Sequence, residues 1–327
     1  FHTARHGHFD VIGPFFILSG FNPLGPAIGM ALFGVVATTL LYVLAKKLYG
    51  TVIGSIVALL WAVSPLIVRQ DQVVWEPNLV PLFVILFLLG LKTRLFVLLW
   101  GATGVLVQLH YPNIIFIPIA LAVSRRLRQV LPGVLLFLLI QAPFLLYEAQ
   151  HGFSDILGII DVMSQPSAQS KTQFVASFID YTSRVFYRVI PIGNQVGMIT
   201  TQLVLVVLVL STKRRFYLFL LGLYVLGIGA MARFGGLVYD HYLNFLLPLP
   251  FLFVGNALFI LRRFSGFGTV LVGILLIGWQ ITKPQYFIEP RSDIARTKAI
   301  THAIEADANG PFSFSIISSP SYSDQHY

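Results

Sequence analysis

Residues 95–124 read LFVLLWGATGVLVQLHYPNIIFIPIALAVS, a run of 30 residues without a formal charge. A helix crosses the hydrocarbon core of a bilayer with about 20 residues, so this run is too long for one span and short for two. Pro112 removes a backbone donor and disfavours helix at Tyr111, the residue before it. We therefore predict two short helices that turn at residues 110–113.

The basic residues of the chain test this division. With a turn at 110–113, five basic clusters fall on one side, whereas a single undivided span would invert everything downstream and scatter the charges. The clusters are Lys46-Lys47, Lys92 with Arg94, Arg125 with Arg126 and Arg128, Lys213-Arg214-Arg215, and Arg262-Arg263. Basic residues collect in short cytoplasmic loops. We therefore predict a multi-pass protein of the plasma membrane with these five loops in the cytoplasm.

The composition excludes several other classes of protein. Of 327 residues, 56% are apolar and only 11% are charged, against roughly 25% charged in an ordinary soluble domain. A soluble globular protein, a disordered chain and a disulfide scaffold are excluded, and without cysteine there is no thiolate ligand or nucleophile. The net charge of +9 divides into +12 on the cytoplasmic face and −3 outside. It therefore indicates topology, and we expect no nucleic-acid partner.

Ten uncharged stretches are predicted to be transmembrane helices, which makes the fold class an all-α polytopic membrane protein. Both ends of the array then lie outside the cytoplasm, and a further helix over residues 15–21 is predicted to lie on the outer interface. The stretches are residues 24–45, 48–68, 77–91, the two halves of 95–124, 129–147, 196–212, 216–232, 242–261 and 264–282.

Two domains are predicted. Residues 1–283 form the transmembrane domain, with outer loops at 1–23, 69–76, 148–195 and 233–241. Residues 284–327 begin an extracytoplasmic α/β domain, with an amphipathic helix over 291–307 and a strand over 312–318. Because one helix and one strand do not complete a domain, and a span should precede Phe1, we expect the chain to be cut at both ends.

All 13 acidic residues and all eight histidines fall on the outer side of this topology. A polar outer face opposite a bare inner face is typical of a membrane enzyme that works outside the cytoplasm. The long loop 148–195 holds two amphipathic helices, over 153–163 and 174–189. They either lie flat on the membrane or cover an active site as a lid.

Asp10 is the candidate catalytic residue of the first outer loop. It is either a general base at the membrane surface or the N-cap of a helix, since Pro14 follows closely. His2, His6 and His8 precede it, but their spacing fits no metal pattern. We therefore predict no metal site, and a divalent cation as cofactor stays open.

The segment 69–78 combines many polar side chains in one short turn. The tryptophan is either a membrane anchor or part of a cluster that binds a lipid phosphate and a sugar. In the second interpretation the helix that starts at Pro77 turns free N–H groups towards an anion. The residues in question are Arg69, Asp71, Trp75, Glu76 and Asn78.

Two further outer positions have the same pair of interpretations. His110-Tyr111 is a solvated histidine beside an interfacial aromatic, or a contact for a sugar or acceptor. Arg233 either makes a surface ion pair with Asp240, which would contribute little, or holds a phosphate together with Tyr242.

With these residues in view, the chain resembles the GT-C superfamily of membrane glycosyltransferases, in the bacterial and archaeal branch related to protein O-mannosyltransferases and aminoarabinose transferases. The resemblance covers nearly the whole chain through the order and spacing of short motifs. The motifs are Gly13-Pro14-Phe15-Phe16 with Phe21-Asn22-Pro23-Leu24-Gly25-Pro26, the basic turn 44–50, Ser64-Pro65-Leu66 leading to Trp75-Glu76-Pro77-Asn78, Gln108-Leu109-His110-Tyr111, Tyr147-Glu148 with His151-Gly152-Phe153, and His241-Tyr242-Leu243 with Leu247-Pro248.

The resemblance implies a polyprenyl-phosphate sugar donor and catalysis outside the cytoplasm by an acidic residue of the first outer loop. The usual family acid would lie before Phe1, Gln72 stands where an arginine is common, and Glu76 replaces an asparagine. We predict Asp10 as the catalytic residue. Contacts to the donor phosphate or lipid are predicted for Arg69, Arg233, His241 and Tyr242. Contacts to the sugar or acceptor are predicted for Asp71, Trp75, Glu76, Asn78, His110, Tyr111, Glu148 and His151.

The predicted function is therefore an inverting transfer of a sugar from a polyprenyl-phosphate donor to a lipid, glycan or protein acceptor. One alternative is an O-antigen ligase or polymerase acting on lipid diphosphates. A transporter or lipid flippase is another, although it would be expected to have two similar halves and mid-membrane charges. A non-catalytic scaffold would leave the outer polar cluster without a role.

Overall fold

The computed structural model describes residues 6–124, 127–164, 170–190, 195–211, 215–234, 238–282, 293–307 and 310, and these ranges contain helices but no strand. Up to the break at His110 the helices are α1 (His6–Leu18), α2 (Leu24–Tyr49), α3 (Thr51–Ala62), α4 (Pro65–Gln70), the 3₁₀ helix η1 (Glu76–Leu79), α5 (Val80–Thr93) and α6 (Phe96–Leu109). After the break come η2 (Tyr111–Ile115), α7 (Phe116–Val123), α8 (Leu127–Gln150), α9 (Ser154–Ser164), α10 (Lys171–Val189), α11 (Gln195–Ser211), α12 (Arg215–Arg233), η3 (Asp240–Leu246), α13 (Pro248–Leu261), α14 (Gly266–Ile281) and α15 (Asp293–Asp307).

The predicted break in the 30-residue run is confirmed. Helix α6 ends at Leu109, His110 has an extended backbone (φ −164°, ψ 128°), and η2 begins at Tyr111 with Pro112 in its first turn. Asn113 is buried in this turn, and its Nδ2 donates to the Leu106 carbonyl at 2.8 Å. The proline and this hydrogen bond together fix the position of the turn.

The described helices form an apolar bundle of membrane type. Four helices are long and apolar enough to cross a bilayer: α2, Glu76–Thr93, Val130–Gln150 and α12. A fifth arises if η3 and α13, which bend by 42°, count as one span. Large apolar side chains on these helices are exposed, among them Val35, Leu139 and Leu226. Because a water-soluble surface does not carry so many apolar side chains, the protein is an all-α membrane protein.

The basic turns share contacts at what we call the basic end of the bundle. Gly50 connects α2 to α3 with φ +89°, a conformation that favours glycine, and a Cβ there would lie 3.5 Å from an Arg262 guanidinium nitrogen. Lys92 Nζ lies 5.3 Å from the centroid of the Phe216 ring at the start of α12. The first contact places the turn at 46–50 beside Arg262, and the second places Lys92 beside the start of α12. Lys213, Arg214 and the side chains of residues 125–128 lie outside the described part.

Both helices predicted in the loop 148–195 are present, as α9 and α10. Helix α10 begins with a capping box, in which Ser170 Oγ accepts from the Gln173 backbone and Gln173 Oε1 accepts from the Ser170 backbone. Its apolar face buries Tyr181, Phe186 and Val189, and it packs against α4, α12 and η3. The buried face of α10 therefore packs on neighbouring protein elements.

The start of the chain differs from the prediction. The predicted interfacial helix over 15–21 is instead the end of α1, which runs from His6 to Leu18 with Pro14 inside it. Asp10 lies within this helix, so the N-cap alternative is wrong. The side chain of Asp10 lies outside the described part of the chain, as do those of His2, His6 and His8.

Residues Lys283–Tyr327 form a separate unit from Phe1–Thr282. In that second unit, the predicted helix over 291–307 is confirmed as α15, Asp293–Asp307. The strand predicted over 312–318 lies outside the described residues.

Candidate functional site

Three segments far apart in sequence meet in one group of rings, which we call the ring cluster: Trp75, His110, Tyr239, His241 and Tyr242. The His241 ring lies 4.6 Å from Trp75 and 5.3 Å from His110, measured between ring centroids. His110 stacks on Tyr242 at 5.0 Å, and Tyr239 stacks on His241 at 5.7 Å. The structure therefore brings together four residues that were predicted from three separate motifs.

Side-chain amides hold these segments in place. Asn244, which is buried, donates through Nδ2 to the Pro77 carbonyl at 2.8 Å, and its Oδ1 accepts from Gln70 Nε2 at 3.0 Å. The Nδ2 of Asn78 donates to the carbonyls of Gln70 and Val73 at 3.2 and 3.1 Å. A sugar or acceptor contact was predicted for Asn78. In the structure its amide nitrogen donates to two carbonyls of the same loop.

Two imidazole nitrogens in the ring cluster are buried without a partner among the described residues. They are Nε2 of His110 and Nδ1 of His241. Burial, and secondarily the charge of His241, lowers the pKa of His110 to about 3. His110 is therefore neutral at physiological pH. A neutral imidazole can accept or donate a hydrogen bond, so these nitrogens can orient a hydroxyl group.

An ion-pair network lies behind the ring cluster. Asp240 accepts from Arg188 at 2.7 Å and from Arg184 at 3.4 Å, and Arg184 also donates to the Val238 carbonyl at 2.8 Å. The predicted partner of Asp240 was Arg233, which is instead exposed at the end of α12. The two arginines of α10 thus bind Asp240, the first residue of η3.

Sequence reasoning missed Arg184, Arg188, Tyr239 and Asp240 as site residues. The available signal was the placement of Arg184 and Arg188 one helical turn apart on the polar face of an amphipathic helix. Such a pair indicates a shared anionic partner, although the sequence does not identify it.

Asp71 lies in a narrow cleft against α2, which Gln70 and Asn78 also line. Its carboxyl packs so closely on Gly34 that a Cβ there would overlap it, and the same cleft is lined by Trp61, whose buried Nε1 has no partner among the described residues. Burial raises the pKa of Asp71 to about 7. A carboxyl group with this pKa can accept or release a proton near neutrality. Arg69 and Glu76, in the same segment, are half-buried.

Glu148 and His151 make their described contacts at the junction of α8 and α9. Glu148 is fully buried, and one carboxylate oxygen accepts from the Ile156 backbone at 3.0 Å. His151 stacks on Tyr147 at 3.9 Å. Burial and the Glu148 charge raise the pKa of Asp155, while His151 acts in the opposite direction. Glu148 and His151, which were predicted to contact the sugar or acceptor, therefore belong to a second polar group besides the ring cluster.

Tyr111 is half-buried in η2, directly after His110. Within the described part of the chain, no group of three or more histidine, aspartate or glutamate side chains is arranged to hold a metal ion. Comparisons with family models, with curated proteins and with solved structures find no match to this chain.

Proposed function

We propose that this chain is the membrane domain of a glycosyltransferase with ten spans in a GT-C-like arrangement. It transfers a sugar, with inversion, from a polyprenyl phosphate to an acceptor on the outer face of the plasma membrane. The observation that carries the proposal is the ring cluster. Segments 69–78, 110–113 and 238–247, which the charge pattern assigns to one side of the membrane, meet there around two imidazole nitrogens that lack partners among the described residues.

The composition of the ring cluster suits a sugar site. Binding pockets for small molecules combine aromatic walls with a few polar groups that fix orientation. Trp75, Tyr239 and Tyr242 would supply the walls, and His110 and His241 would supply the orienting nitrogens. Asp71 and Glu76, in the segment that carries Trp75, would contact the sugar or acceptor, as would Tyr111.

The reaction forms a bond between the acceptor oxygen and C1 of the sugar while the bond from C1 to the phosphate oxygen breaks. The electron pair leaves on the phosphate, and the acceptor proton passes to a base. We assign the base to Asp10, and Asp71 is a second carboxyl whose pKa of about 7 suits the same role. Positive charge from Arg69 and Arg233 would stabilise the departing phosphate.

The test uses the full chain, purified and reconstituted in liposomes with radiolabelled polyprenyl-phosphate sugars. We expect release of polyprenyl phosphate and transfer of label to a hydroxyl acceptor. Trp75→Ala should lower turnover at least tenfold, because it removes one wall of the sugar site. Trp279→Ala on α14, a similarly truncated tryptophan outside the ring cluster, should keep wild-type turnover.

Two outcomes would contradict the proposal. Wild-type turnover in Trp75→Ala would remove the ring cluster from the site. Movement of intact donor across the bilayer without cleavage would identify a lipid flippase instead.

A further inference from the structure

A second cavity lies away from the ring cluster, between α10, α11, α12 and α13. Its volume is about 220 Å³, which exceeds the roughly 150 Å³ apolar cavity that holds a benzene molecule. Its walls include Phe178 and Phe186 of α10, Leu205 of α11 and Phe253 of α13. No charged side chain occurs among the described residues that line it. The cavity therefore suits a hydrocarbon chain and disfavours an ionised head group.

The cavity opens towards the surroundings of the bundle. Ile179, Leu203 and Val225 line it and are exposed, whereas Phe186 and Leu205 are buried at its inner side. The exposed residues are apolar, and Leu203 and Val225 lie on α11 and α12, which fall in predicted transmembrane stretches. An entering molecule would therefore come from the bilayer.

One polar group in the cavity lacks a partner among the described residues. Gln202 is only 5% exposed, and neither its Nε2 nor its Oε1 has a hydrogen-bond partner in the described structure. Two other polar lining groups are already used, because Thr182 donates to the Phe178 carbonyl and Tyr224 donates to the Thr182 carbonyl. A buried amide without partners is unfavourable. Its natural complement is one neutral group that both donates and accepts.

We propose that this cavity binds the chain of a long-chain alcohol from the membrane, with the alcohol group hydrogen-bonded to the Gln202 amide. A hydroxyl supplies one donor and two acceptor lone pairs, so it satisfies both amide atoms. Gln202 lies seven residues from the start of α11, about 10 Å along the helix. The alcohol group would sit at Gln202, with its chain along the aromatic wall of Phe178, Phe186 and Phe253.

The experiment is photolabelling of the full chain in nanodiscs with a decanol analogue that carries a diazirine on its chain. We expect labelled peptides from α10 and α11, and competition by decanol. Decyl methyl ether, which accepts but cannot donate, should compete about tenfold more weakly, in proportion to one lost hydrogen bond. Equal competition by the ether and the alcohol would overturn the role of the hydroxyl.

Gln202→Leu removes the amide while keeping a side chain of similar size, and it should abolish the difference between decanol and its ether. The matched control is Gln280→Leu on α14. Gln280 is also buried with both amide atoms lacking described partners, but it does not line the cavity. The control should label as the wild type does. If both variants lost the difference between decanol and its ether equally, the effect would not be specific to the cavity, and the proposal would be overturned.

Val206→Phe tests the cavity independently, because Val206 lines it and a larger ring would fill it. We expect labelling of α10 and α11 to be lost while the chain remains folded. Unchanged labelling in this variant would place the probe elsewhere and overturn the proposal.

Discussion

The basic end and the opposite end of the bundle are built differently. At the basic end the helices are joined by tight connections, such as Gly50 with φ +89° and Arg94 with φ +58°, and a tyrosine hydroxyl supplies the long-range hydrogen bond from Tyr49 to the Leu252 carbonyl. At the opposite end, hydrogen bonds join distant segments, as between Gln70 and Asn244 or Arg188 and Asp240. The difference indicates that one end serves chain reversal and the other forms a defined polar site.

The largest expected effect concerns the side of the membrane on which each end lies. The chain has no cysteine, so single cysteines can be placed at will. In right-side-out vesicles, Tyr187→Cys on α10 should react with an impermeant maleimide, whereas Phe264→Cys at the basic end should be protected. Both residues are exposed, and detergent should make both reactive. The reverse pattern would contradict the orientation assigned by the basic clusters.

A second comparison uses two buried asparagines. Asn244 makes two side-chain hydrogen bonds at the polar site, and Asn256 of α13 makes none with described residues. Asn244→Leu should lower the free energy of unfolding by about 3 kcal/mol, because Gln70 and the Pro77 carbonyl lose their partner. Asn256→Leu should be neutral or stabilising. Unfolding in mixed micelles measures the change in unfolding free energy for both variants. Equal destabilisation by the two substitutions would argue against the difference in construction between the two ends of the bundle.

The pH dependence of stability tests the burial of Asp71. Its pKa is raised to about 7 in the folded protein from an ordinary value of 3.8, so the folded state holds a proton that the unfolded chain releases. Stability should therefore fall as pH rises from about 4 to 7 and level off above that. Asp71→Asn should remove roughly 2 kcal/mol of this pH-dependent loss of stability. The effect is smaller than complete burial would give, because part of the carboxyl stays hydrated. If the unfolding free energy of Asp71→Asn had the same slope against pH as the wild type, other groups would be the cause of the pH dependence.

The smallest expected effect lies at the basic end. Gly50→Ala should lower the free energy of unfolding by about 1 kcal/mol, because alanine is disfavoured at φ +89°. The control is Gly222→Ala inside α12, where an added Cβ meets nothing within 4 Å. That substitution should stabilise by a few tenths of a kcal/mol. Glycosyl transfer should be unchanged in both, since neither residue approaches the ring cluster.

Local sequence signals predicted much of the fold. The Pro112 turn and the amphipathic pattern of α10 both act within a few residues, and each appears where it was expected. The signal at Pro14 indicates a helix boundary, whereas α1 begins before Asp10 and continues through Pro14.

The candidate site was predictable in part. Trp75, His110, His241 and Tyr242 stood out through their residue types, and the structure brings them together. The bond between Arg188 and Asp240 was not predictable, because tertiary packing selects partners 52 residues apart. Likewise, nothing in the sequence distinguishes Asn244 from Asn256, since only the fold determines which amide meets a partner.

Helix α10 contributes both to the apolar cavity and to the ion pairs beside the ring cluster. Phe178 and Phe186 line the apolar cavity, while Arg184 and Arg188 of the same helix bind Asp240 beside the ring cluster. A packed helix moves as a rigid rod, so displacement of one face displaces the other. A displacement of α10 that widens the cavity would therefore also alter the pairing of Asp240, and if the two are coupled in this way the reverse influence is equally strong.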